Sequence, residues 1–265
     1  MIIACENNYL AQIYEYIGLD YWKCLYLYLN LEKYGLYNEN IHVWSAIRDK
    51  ELKAIIMQYY DCMHLFSRNS DYNTEEISSH IIQRRCNVVM STGENIRKLT
   101  PYLEKDFNAE FFGIFKSPDQ IKKHEFPEVE KADRSDIEKI VNFMLTDKSY
   151  TDLYSYDVLY KQLLDRFDTG YSRFYVIRDK EQIIASYSTY AETEQIAVLG
   201  GLLVDPNYRG QNLSLKLASV LSNELIQSGK SVYAIISNEA SKRIHSKLEF
   251  SQIDESGKLT RKVLL

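Results

Sequence analysis

Proline, glycine and long apolar runs are scarce in this sequence. It has 4 prolines and 10 glycines among 265 residues, which argues against collagenous or long disordered stretches. The richest apolar run, Tyr21 to Leu31, is shorter than the ~18 uncharged residues of a membrane span and is interrupted by Lys23 and Asn30. The amino terminus lacks the basic and apolar regions of a signal peptide. These absences predict a cytoplasmic globular protein of one or two domains without membrane contact.

Patterns typical of metal and nucleic-acid binding are absent as well. Three histidines of the first half stand singly: His42, His64 and His80. The four cysteines are far apart and form no CxxC motif: Cys5, Cys24, Cys62 and Cys86. We therefore expect free thiols in a reducing compartment and no metal site. The net charge of −5 argues against a nucleic-acid partner, because nucleic-acid-binding surfaces are usually basic.

The order of predicted helices and strands is the same in the two halves of the chain. Each half reads helix, helix, hairpin, strand, helix, strand, helix, strand. The turn segment Ile47 to Glu51 recurs letter for letter at Ile177 to Glu181. We infer two α/β (α+β) domains of one fold, each a mixed central sheet flanked by helices, at residues 1–117 and 128–265. The charged segment 118–127 is the predicted linker.

Local patterns predict two helix starts and one hairpin. Thr74 stands where it would cap a helix. Ser135 stands in a capping-box arrangement with Glu138, three residues further on. Near the end of the chain, Phe250 to Ile253 and Leu259 to Leu264 are predicted to pair as a hairpin.

The segment most informative of chemistry is Gly200 to Ser214, which reads as a strand, a tight turn and a helix start. The first turn of a helix has unsatisfied N–H groups and the positive end of the helix dipole. Arg209 and Gly210 would let the backbone curl around an anion, so a phosphate or pyrophosphate is expected there. The Gly-Lys-Ser/Thr of an NTPase P-loop and the GxGxxG of a dinucleotide-binding fold are both missing.

Residues 209–214 resemble the Arg/Gln-x-x-Gly-x-Gly/Ala motif of the GNAT acyltransferase superfamily. Arg209 matches the first position, whereas Asn212 replaces glycine at the fourth and Ser214 replaces glycine or alanine at the sixth. Asn tolerates unusual backbone angles better than most residues, and Ser is small. The loop of the motif is therefore still expected to form.

A second segment, residues 238–250, is similar to the Asn-x-x-(Ala/Ser)…Tyr-x-Lys-x-Gly-Phe helix of the same superfamily. Four residues fit this pattern: Asn238, Ser241, Lys247 and Phe250. His245 stands in place of the usual Tyr, and Glu249 in place of the usual Gly. The resemblance covers about residues 128–265. For residues 1–117 it depends on element order alone, and residues 67–74 there contain no glycine, so this tandem-GNAT copy is predicted to be degenerate.

The resemblance implies an acetyl-CoA-dependent N-acetyltransferase that transfers the acyl group directly to an amine acceptor. The acyl-CoA would lie in a V-shaped opening between the fourth and fifth strands, where a strand N–H would polarise the thioester carbonyl. The residues implied to bind it are Leu202, Leu203, Val204, Arg209, Gly210, Gln211, Asn212, Leu213, Ser214, Asn238 and Ser241.

The catalytic residues are less clearly indicated. The motif position selects His245 as proton donor to the leaving thiolate, since imidazole titrates near neutral pH. The usual acidic position of the strand corresponds to Val198, which cannot accept a proton. Glu194 is therefore the candidate general base, with Glu192 as an alternative; either could instead be a solvated turn residue.

A second function is compatible with the same residues. The altered loop, the missing strand carboxylate and the Tyr-to-His change would also suit a non-catalytic sensor or scaffold that binds CoA or a peptide. The partners expected in the enzymatic case are acyl-CoA and an amine acceptor. The acceptor is not specified by the sequence. Edge strands after Phe250 would allow a homodimer, which the sequence does not decide.

Overall fold

A computed structural model describes residues 1–6, 9–36, 38–122 and 125–262. The chain divides into two compact units: unit 1 is Met1–Gly113 with Asp254–Leu265, and unit 2 is Ile114–Ile253. The strands in chain order are β1 (Ile2–Ala4), β2 (Ile41–Arg48), β3 (Glu51–Tyr59), β4 (Cys62–Phe66), β5 (Val88–Thr92), β6 (Phe107–Lys116), β7 (Glu130–Lys131), β8 (Phe174–Asp179), β9 (Gln182–Glu192), β10 (Ile196–Val204), β11 (Ser231–Ile236) and β12 (Ser251–Arg261). The α-helices are α1 (Leu10–Ile17), α2 (Leu25–Tyr34), α3 (Thr74–Gln83), α4 (Gly93–Leu103), α5 (Ile137–Met144), α6 (Lys148–Thr151), α7 (Tyr156–Asp168), α8 (Leu213–Gln227) and α9 (Glu239–Lys247).

Unit 1 is a mixed sheet with helices on both faces. Its strand order includes β1-β2-β3-β4-β5-β12, and the pair β4/β5 is parallel while the other neighbours in this run are antiparallel. One core lies under α1 and α2 and contains Ile13, Leu27 and Phe66. The other lies under α3 and α4 and contains Ile77 and Ile96. The helices form because their apolar residues recur at three- and four-residue spacing and so share one buried face.

Unit 2 repeats this arrangement. Its order is β11-β10-β9-β8-β7, only β10/β11 among these neighbours is parallel, and the end of β6 lies next to β11. Ser117 N–H donates to the Val232 carbonyl oxygen at 2.9 Å. One core contains Leu217 and Leu221 of α8, and the other contains Ile140 of α5 and Leu163 of α7. The predicted fold class, a mixed central sheet flanked by helices in each half, is confirmed.

The repeated segment forms a hairpin turn in both units, but not with the same residues. In unit 1, Arg48 pairs with Glu51, so Asp49 and Lys50 make the turn. In unit 2, Asp179 pairs with Gln182, which moves the turn one residue along. The five-letter match therefore marks equivalent hairpins with different registers.

The predicted hairpin at the end of the chain is wrong. Residues Ser251–Arg261 form one continuous strand, β12, which pairs antiparallel with β5 from Ser256–Thr92 to Thr260–Val88. The partner strand lies far away in sequence, so the local pattern of residues 250–264 does not reveal it. Leu264 lies outside the described residues.

Both predicted helix starts are displaced by one or two residues. Asn73, not Thr74, caps α3, because its side chain accepts the Glu76 N–H at 3.1 Å. Asp133 takes the cap position predicted for Ser135, and forms a capping box with Asp136. In both places an Asn or Asp stands just upstream of the Ser or Thr, and these side chains cap at least as well.

The compact units differ from the predicted domains at both boundaries. Residues 114–117 group with unit 2, as does the predicted linker 118–127, and residues 254–265 group with unit 1. The second difference follows from the pairing of β12 with β5. The division into a degenerate copy and a catalytic domain stays a prediction. Among the described residues, no helix is long and apolar enough to cross a membrane.

Candidate acyl-CoA site

Strands β10 and β11 separate towards their carboxyl ends. Their parallel pairing runs from Ile196–Ser231 to Leu199–Ala234, although β10 continues to Val204. On its other side β10 remains paired with β9 as far as Val204–Ala185. The last residues of β10 therefore have a strand neighbour on one side only, and a gap opens on the other.

A bulge in β10 accompanies this separation. The register between β9 and β10 shifts between Gly200 and Leu203, and Gly201 has φ 74°. A side chain at Gly201 would lie 3.0 Å from Ser188 Oγ. Glycine is therefore required both by the backbone angle and by the close approach of β9.

The loop after β10 turns the chain into α8. Asp205 Oδ1 accepts the Asn207 N–H at 2.8 Å and begins a 3₁₀ turn, Pro206–Tyr208. Gly210 has φ 83°, and Asn212 lies in the left-handed region with φ 58° and ψ 20°. Asn212, which stands in place of the motif's glycine, thus adopts a conformation that asparagine tolerates better than most residues.

The amino terminus of α8 has free N–H groups. The first helical bond of this turn runs from the Lys216 N–H to the Asn212 carbonyl oxygen at 3.1 Å. No side chain of the described residues caps the helix. The N–H groups of residues 213–215 therefore point out of the helix end, where the dipole is positive and Arg209 adds a charge. This end favours an anion.

The gap and the loop together form a cavity of about 620 Å³. Ten of the eleven residues predicted to bind CoA line it: Leu202, Leu203, Val204, Arg209, Gly210, Asn212, Leu213, Ser214, Asn238 and Ser241. Gln211 is exposed on the loop and does not line the cavity. One cavity thus brings together the two motif segments that the sequence placed 24 residues apart.

Six further lining residues were not predicted: Asp147, Tyr208, Leu215, Ala240, Ile244 and Lys247. Lys247 was part of the second motif and had no assigned role. Asp147 lies between α5 and α6, where the sequence has no periodic signal or motif, so only the folded chain brings it to β10. Asn238 also has a structural role, since its Oδ1 accepts the Ser241 N–H at 2.8 Å and caps α9.

His245, the predicted proton donor, lies beneath the cavity wall. Its side chain is 1% exposed and is not among the lining residues. Its Nδ1 lies 2.8 Å from the Ser241 carbonyl oxygen, which can only accept, so Nδ1 carries the proton. Its Nε2, 2.8 Å from the Tyr187 hydroxyl, then accepts from that group. The geometry gives no direct path from the imidazole to a ligand.

Burial also keeps this histidine neutral. Desolvation lowers the pKa of His245 below its ordinary value, and the hydrogen bond to Ser241 opposes this only in part. The neighbouring aromatic rings, Tyr187 and Phe250, complete the apolar surroundings. These contacts are typical of a histidine that holds α9 against the sheet.

Glu194, the predicted general base, lies at the opposite end of β10. It is exposed in the turn before the strand, whereas the cavity lies at the strand's carboxyl end. At about 3.3 Å per residue the strand puts roughly 30 Å between Glu194 and Leu203. The structure does not bring this carboxylate to the cavity. Glu194 is near the cavity residues in sequence, but the extended strand β10 separates them in space.

The alternative base, Glu192, is fixed in a buried ion pair. It is 6% exposed and both its oxygens accept from Arg173 at 2.7 Å. Val198, at the usual acidic position, is fully buried. Within the described residues, no group of three or more His, Cys, Asp or Glu side chains is placed to hold a metal ion.

At the corresponding place in unit 1 the two strand ends are joined by a hydrogen bond. The parallel pairing of β4 and β5 ends at His64–Met90, and just beyond it Ser91 Oγ donates to the Leu65 carbonyl oxygen at 2.6 Å. This bond joins the two strands where β10 and β11 part.

The loop after β4, residues 67–73, is held by side chains from α4. Ser70 Oγ donates to Asn95 Oδ1 at 2.9 Å, and both residues are buried. Lys98 Nζ donates to the carbonyl oxygens of Ser70 and Tyr72. With Asn73 capping α3 as well, this loop leaves no free helix end of the kind seen at α8.

One protein-family model matches part of the chain, most of it in unit 2. Residues 178–258, within unit 2 except for the last few, match the family model described as FR47-like protein. None of the curated proteins matches the chain.

Solved structures match almost the whole chain at low identity. A GCN5-related N-acetyltransferase-like protein from Streptococcus suis is 12% identical, with 96% of this chain and 99% of that chain covered and a TM-score of 0.66. A GCN5-related N-acetyltransferase from Sphaerobacter thermophilus is 11% identical, with 99% and 95% covered and a TM-score of 0.64. A tandem GNAT protein from the clavulanic acid biosynthesis pathway is 9% identical, with 100% and 99% covered and a TM-score of 0.61.

At these identities the likeness establishes the fold. The chain has the fold of the GNAT superfamily, as the two motifs predicted.

Proposed function

We propose that unit 2 is an acetyl-CoA-dependent N-acetyltransferase that acts on an amine acceptor. The observation that carries this proposal is the cavity itself. It opens where β10 and β11 part, at the uncapped amino terminus of α8, and ten residues of the two motifs line it. This combination offers an anion-binding end and an extended strand edge in one place.

The residues present fit the two chemically distinct parts of CoA. The N–H groups of the first turn of α8 and the Arg209 guanidinium would bind the pyrophosphate, since helix amino termini favour phosphate groups. Residues 202–204 of β10 have lost β11 as a neighbour, so main-chain groups on that side are available to the amides of the pantetheine arm. Lys247 adds a second cation to the lining.

Bound acetyl-CoA would supply the activated thioester. The protein would then contribute placement and electrostatics: a main-chain N–H of β10 near Leu203 would donate to the thioester carbonyl oxygen as it gains charge. A neutral amine would attack the carbonyl carbon, so that a C–N bond forms and the C–S bond breaks to release a thiolate. The amine's proton would leave to water.

No protein acid is needed for the thiolate in this scheme. An alkyl thiol has a pKa of about 8.5, so a thiolate released into an open cavity takes a proton from water near neutral pH. His245 then acts as a positioning residue, because it ties Ser241 and α9 to Tyr187 on β9. Without a general base at Val198, the amine reacts from its neutral fraction, and the rate should rise with pH up to the pKa of the amine.

The second candidate is a CoA-binding protein without catalysis. Two observations favour it: Val198 replaces a carboxylate, and the imidazole of His245 is shielded from the cavity. Both functions use the same cavity, so binding alone does not separate them.

The decisive experiment combines acetyl-CoA titration with amine-dependent thiol release. Ser214→Asp places a carboxylate in the first turn of α8, where it stabilises the helix but repels a phosphate. Ser228→Asp adds the same charge at the exposed far end of α8 and is the matched control. We expect Ser214→Asp to weaken acetyl-CoA binding about tenfold or more without lowering the melting temperature, on the scale of a lost charge-assisted contact.

Each outcome assigns one function. Amine-dependent thiol release by the wild type, lost in Ser214→Asp and retained in Ser228→Asp, supports the enzyme. Binding of acetyl-CoA with no thiol release across an amine panel supports the CoA-binding protein. Absence of acetyl-CoA binding by the wild type at millimolar concentration would contradict both.

A further inference from the structure

Asp147 brings a carboxylate to the cavity from a segment that neither motif contains. It is the N-cap of the short helix α6, and its Oδ1 accepts the N–H and the hydroxyl of Ser149 at 2.9 and 2.5 Å. Within the described part of the chain, its Oδ2 has no hydrogen-bond partner. One oxygen therefore holds the local backbone while the other is available to a ligand.

The segment around Asp147 flanks the bulge of β10. Tyr150 Oη and Met144 Cε lie 3.6 and 3.7 Å from the point that a Cβ on Gly201 would occupy. Asp147 itself lines the cavity together with Leu202 and Leu203. The carboxylate thus shares one cavity with the strand residues near which the acyl transfer is proposed to occur.

The charge of Asp147 is stable at neutral pH. Its hydrogen bonds with Ser149 hold the pKa of the carboxyl below its usual range, and the nearby charge of Arg209 lowers it further. Burial, and then the charge of Asp147, raises the pKa of Tyr150 to about 12. Among the described residues that line the cavity, Asp147 is the one acidic residue, and its cationic counterparts are Arg209 and Lys247.

A permanently ionised carboxylate is a poor partner for the attacking nitrogen. An ion pair stabilises the protonated form of an amine and raises its pKa, so an amine bound directly to Asp147 would stay an unreactive ammonium. A carboxylate in this place is useful when it binds a second, non-reacting cation of the same acceptor. The reacting amine is then free to lose its proton and approach the strand.

We propose that Asp147 selects the acceptor, and that the acceptor is a molecule with two amino groups, one bound to Asp147 as an ammonium while the other reacts. This inference rests on the proposed function and names its substrate class. The two cations in the lining, Arg209 and Lys247, would be neutralised by the phosphates of CoA, which leaves Asp147 as the uncompensated charge for the acceptor.

The test compares 1,4-diaminobutane with butylamine, which has the same carbon chain and one amino group fewer. Asp147→Asn is a suitable variant, because asparagine also caps helices through its Oδ1 while the charge is removed. Asp152→Asn removes the same charge from an exposed residue outside the cavity and is the matched control. Both amines are titrated calorimetrically into the protein alone and into the protein with CoA, and kcat/KM is measured with acetyl-CoA.

We expect the wild type and Asp152→Asn to prefer the diamine about tenfold or more in affinity and in kcat/KM, as for one partly buried charge-assisted contact. In Asp147→Asn the preference should fall to about 1, because the charge that binds the second ammonium group is gone. Equal affinities for the two amines in the wild type, or a preference that survives Asp147→Asn, would overturn the assignment.

Failure of the proposed function gives a different result. If no thiol is released with any amine, the enzymatic function is excluded. The titration of the protein alone still shows whether Asp147 binds a second amino group. Diamine selectivity that Asp147→Asn abolishes would then assign a diamine-binding cavity, and its absence would remove the assignment altogether.

Discussion

The loops that follow β4 in unit 1 and β10 in unit 2 have the same place in the same strand order but opposite characters. In unit 1, Ser91 bonds across to Leu65 and the loop is held by Asn95 and Lys98. In unit 2, the strands part after Leu199 and the amino terminus of α8 has no side-chain cap. A shared fold therefore does not carry a shared site. The hydrogen bonds at the strand ends are what differs between the position with the cavity and its counterpart in unit 1.

The comparison can be tested most directly with one arginine from each loop. Arg209→Glu puts a negative charge where a pyrophosphate is expected, and should weaken acetyl-CoA binding about 100-fold through lost attraction plus repulsion. Arg68, an exposed residue of the corresponding loop in unit 1, donates its main-chain N–H to the Tyr16 hydroxyl and places its guanidinium over that ring. Calorimetry on Arg68→Glu should give an unchanged affinity, and equal losses in the two variants would contradict the comparison.

Breaking the hydrogen bonds that hold the loop after β4 should lower the stability of the protein and leave its acetyl-CoA affinity unchanged. Asn95 is fully buried and accepts the Ser70 hydroxyl. Asn95→Ala leaves that hydroxyl without its partner, so the free energy of unfolding should fall by about 2 kcal/mol. Urea unfolding measures this, and Asn69→Ala, an exposed change in the same loop, should stay within about 0.5 kcal/mol. A loss of acetyl-CoA affinity in Asn95→Ala would show that the loops are not independent.

Asn212, which has a left-handed backbone conformation in the loop after β10, offers a test with a smaller expected effect. Asn212→Val forces a β-branched residue to φ 58° and should weaken acetyl-CoA binding about tenfold, since such strain costs about 1–3 kcal/mol. Asn212→Gly restores the motif residue and should bind at least as tightly as the wild type. Titration of both variants checks this, and a Val variant that binds normally would mean that the loop geometry is not needed.

The smallest expected effect is on the pH dependence of stability. Burial lowers the pKa of His64 in unit 1 to about 3. In the unfolded chain this group takes up a proton below pH 6.5, but in the folded unit it does not, so stability falls as the pH falls through that value. The loss should be about 1 kcal/mol between pH 7 and pH 5.5 for this residue. Urea unfolding of His64→Leu across this range should give a flatter profile, and a profile parallel to the wild type would contradict the assignment.

Much of the fold can be predicted from the sequence, because the spacing of apolar residues is a local property of the chain. The spacing of apolar residues gave most helices and strands to within a few residues, as at α7 and β11. Helix caps were less certain, because Asp133 and Ser135 are both good caps and only the three-dimensional turn distinguishes them. The strand β12 could not be predicted, because its pairing with β5 depends on residues more than 150 positions away.

The candidate site likewise contains some residues that local sequence patterns reveal and others that only the fold reveals. Residues around Arg209 and Asn238 were found because backbone angles and helix starts leave a mark in the sequence. His245 was placed on the right helix, but the same helix position can face a ligand or the core, and here it faces Tyr187. The prediction of Glu194 depends on proximity along the chain, which says little about distance once a strand intervenes. Asp147 carries no local pattern, so only the fold shows it.

The pairing of β12 with β5 has a consequence for biosynthesis. A protein is made from its amino end, so residues 256–260 leave the ribosome after residues 1–113 of unit 1 and after the whole of unit 2. Until then β5 presents an open edge, which is a surface prone to pairing with foreign chains. Unit 2, residues 114–253, has all its residues before that point. The half of the protein that is made first is thus the last to be finished.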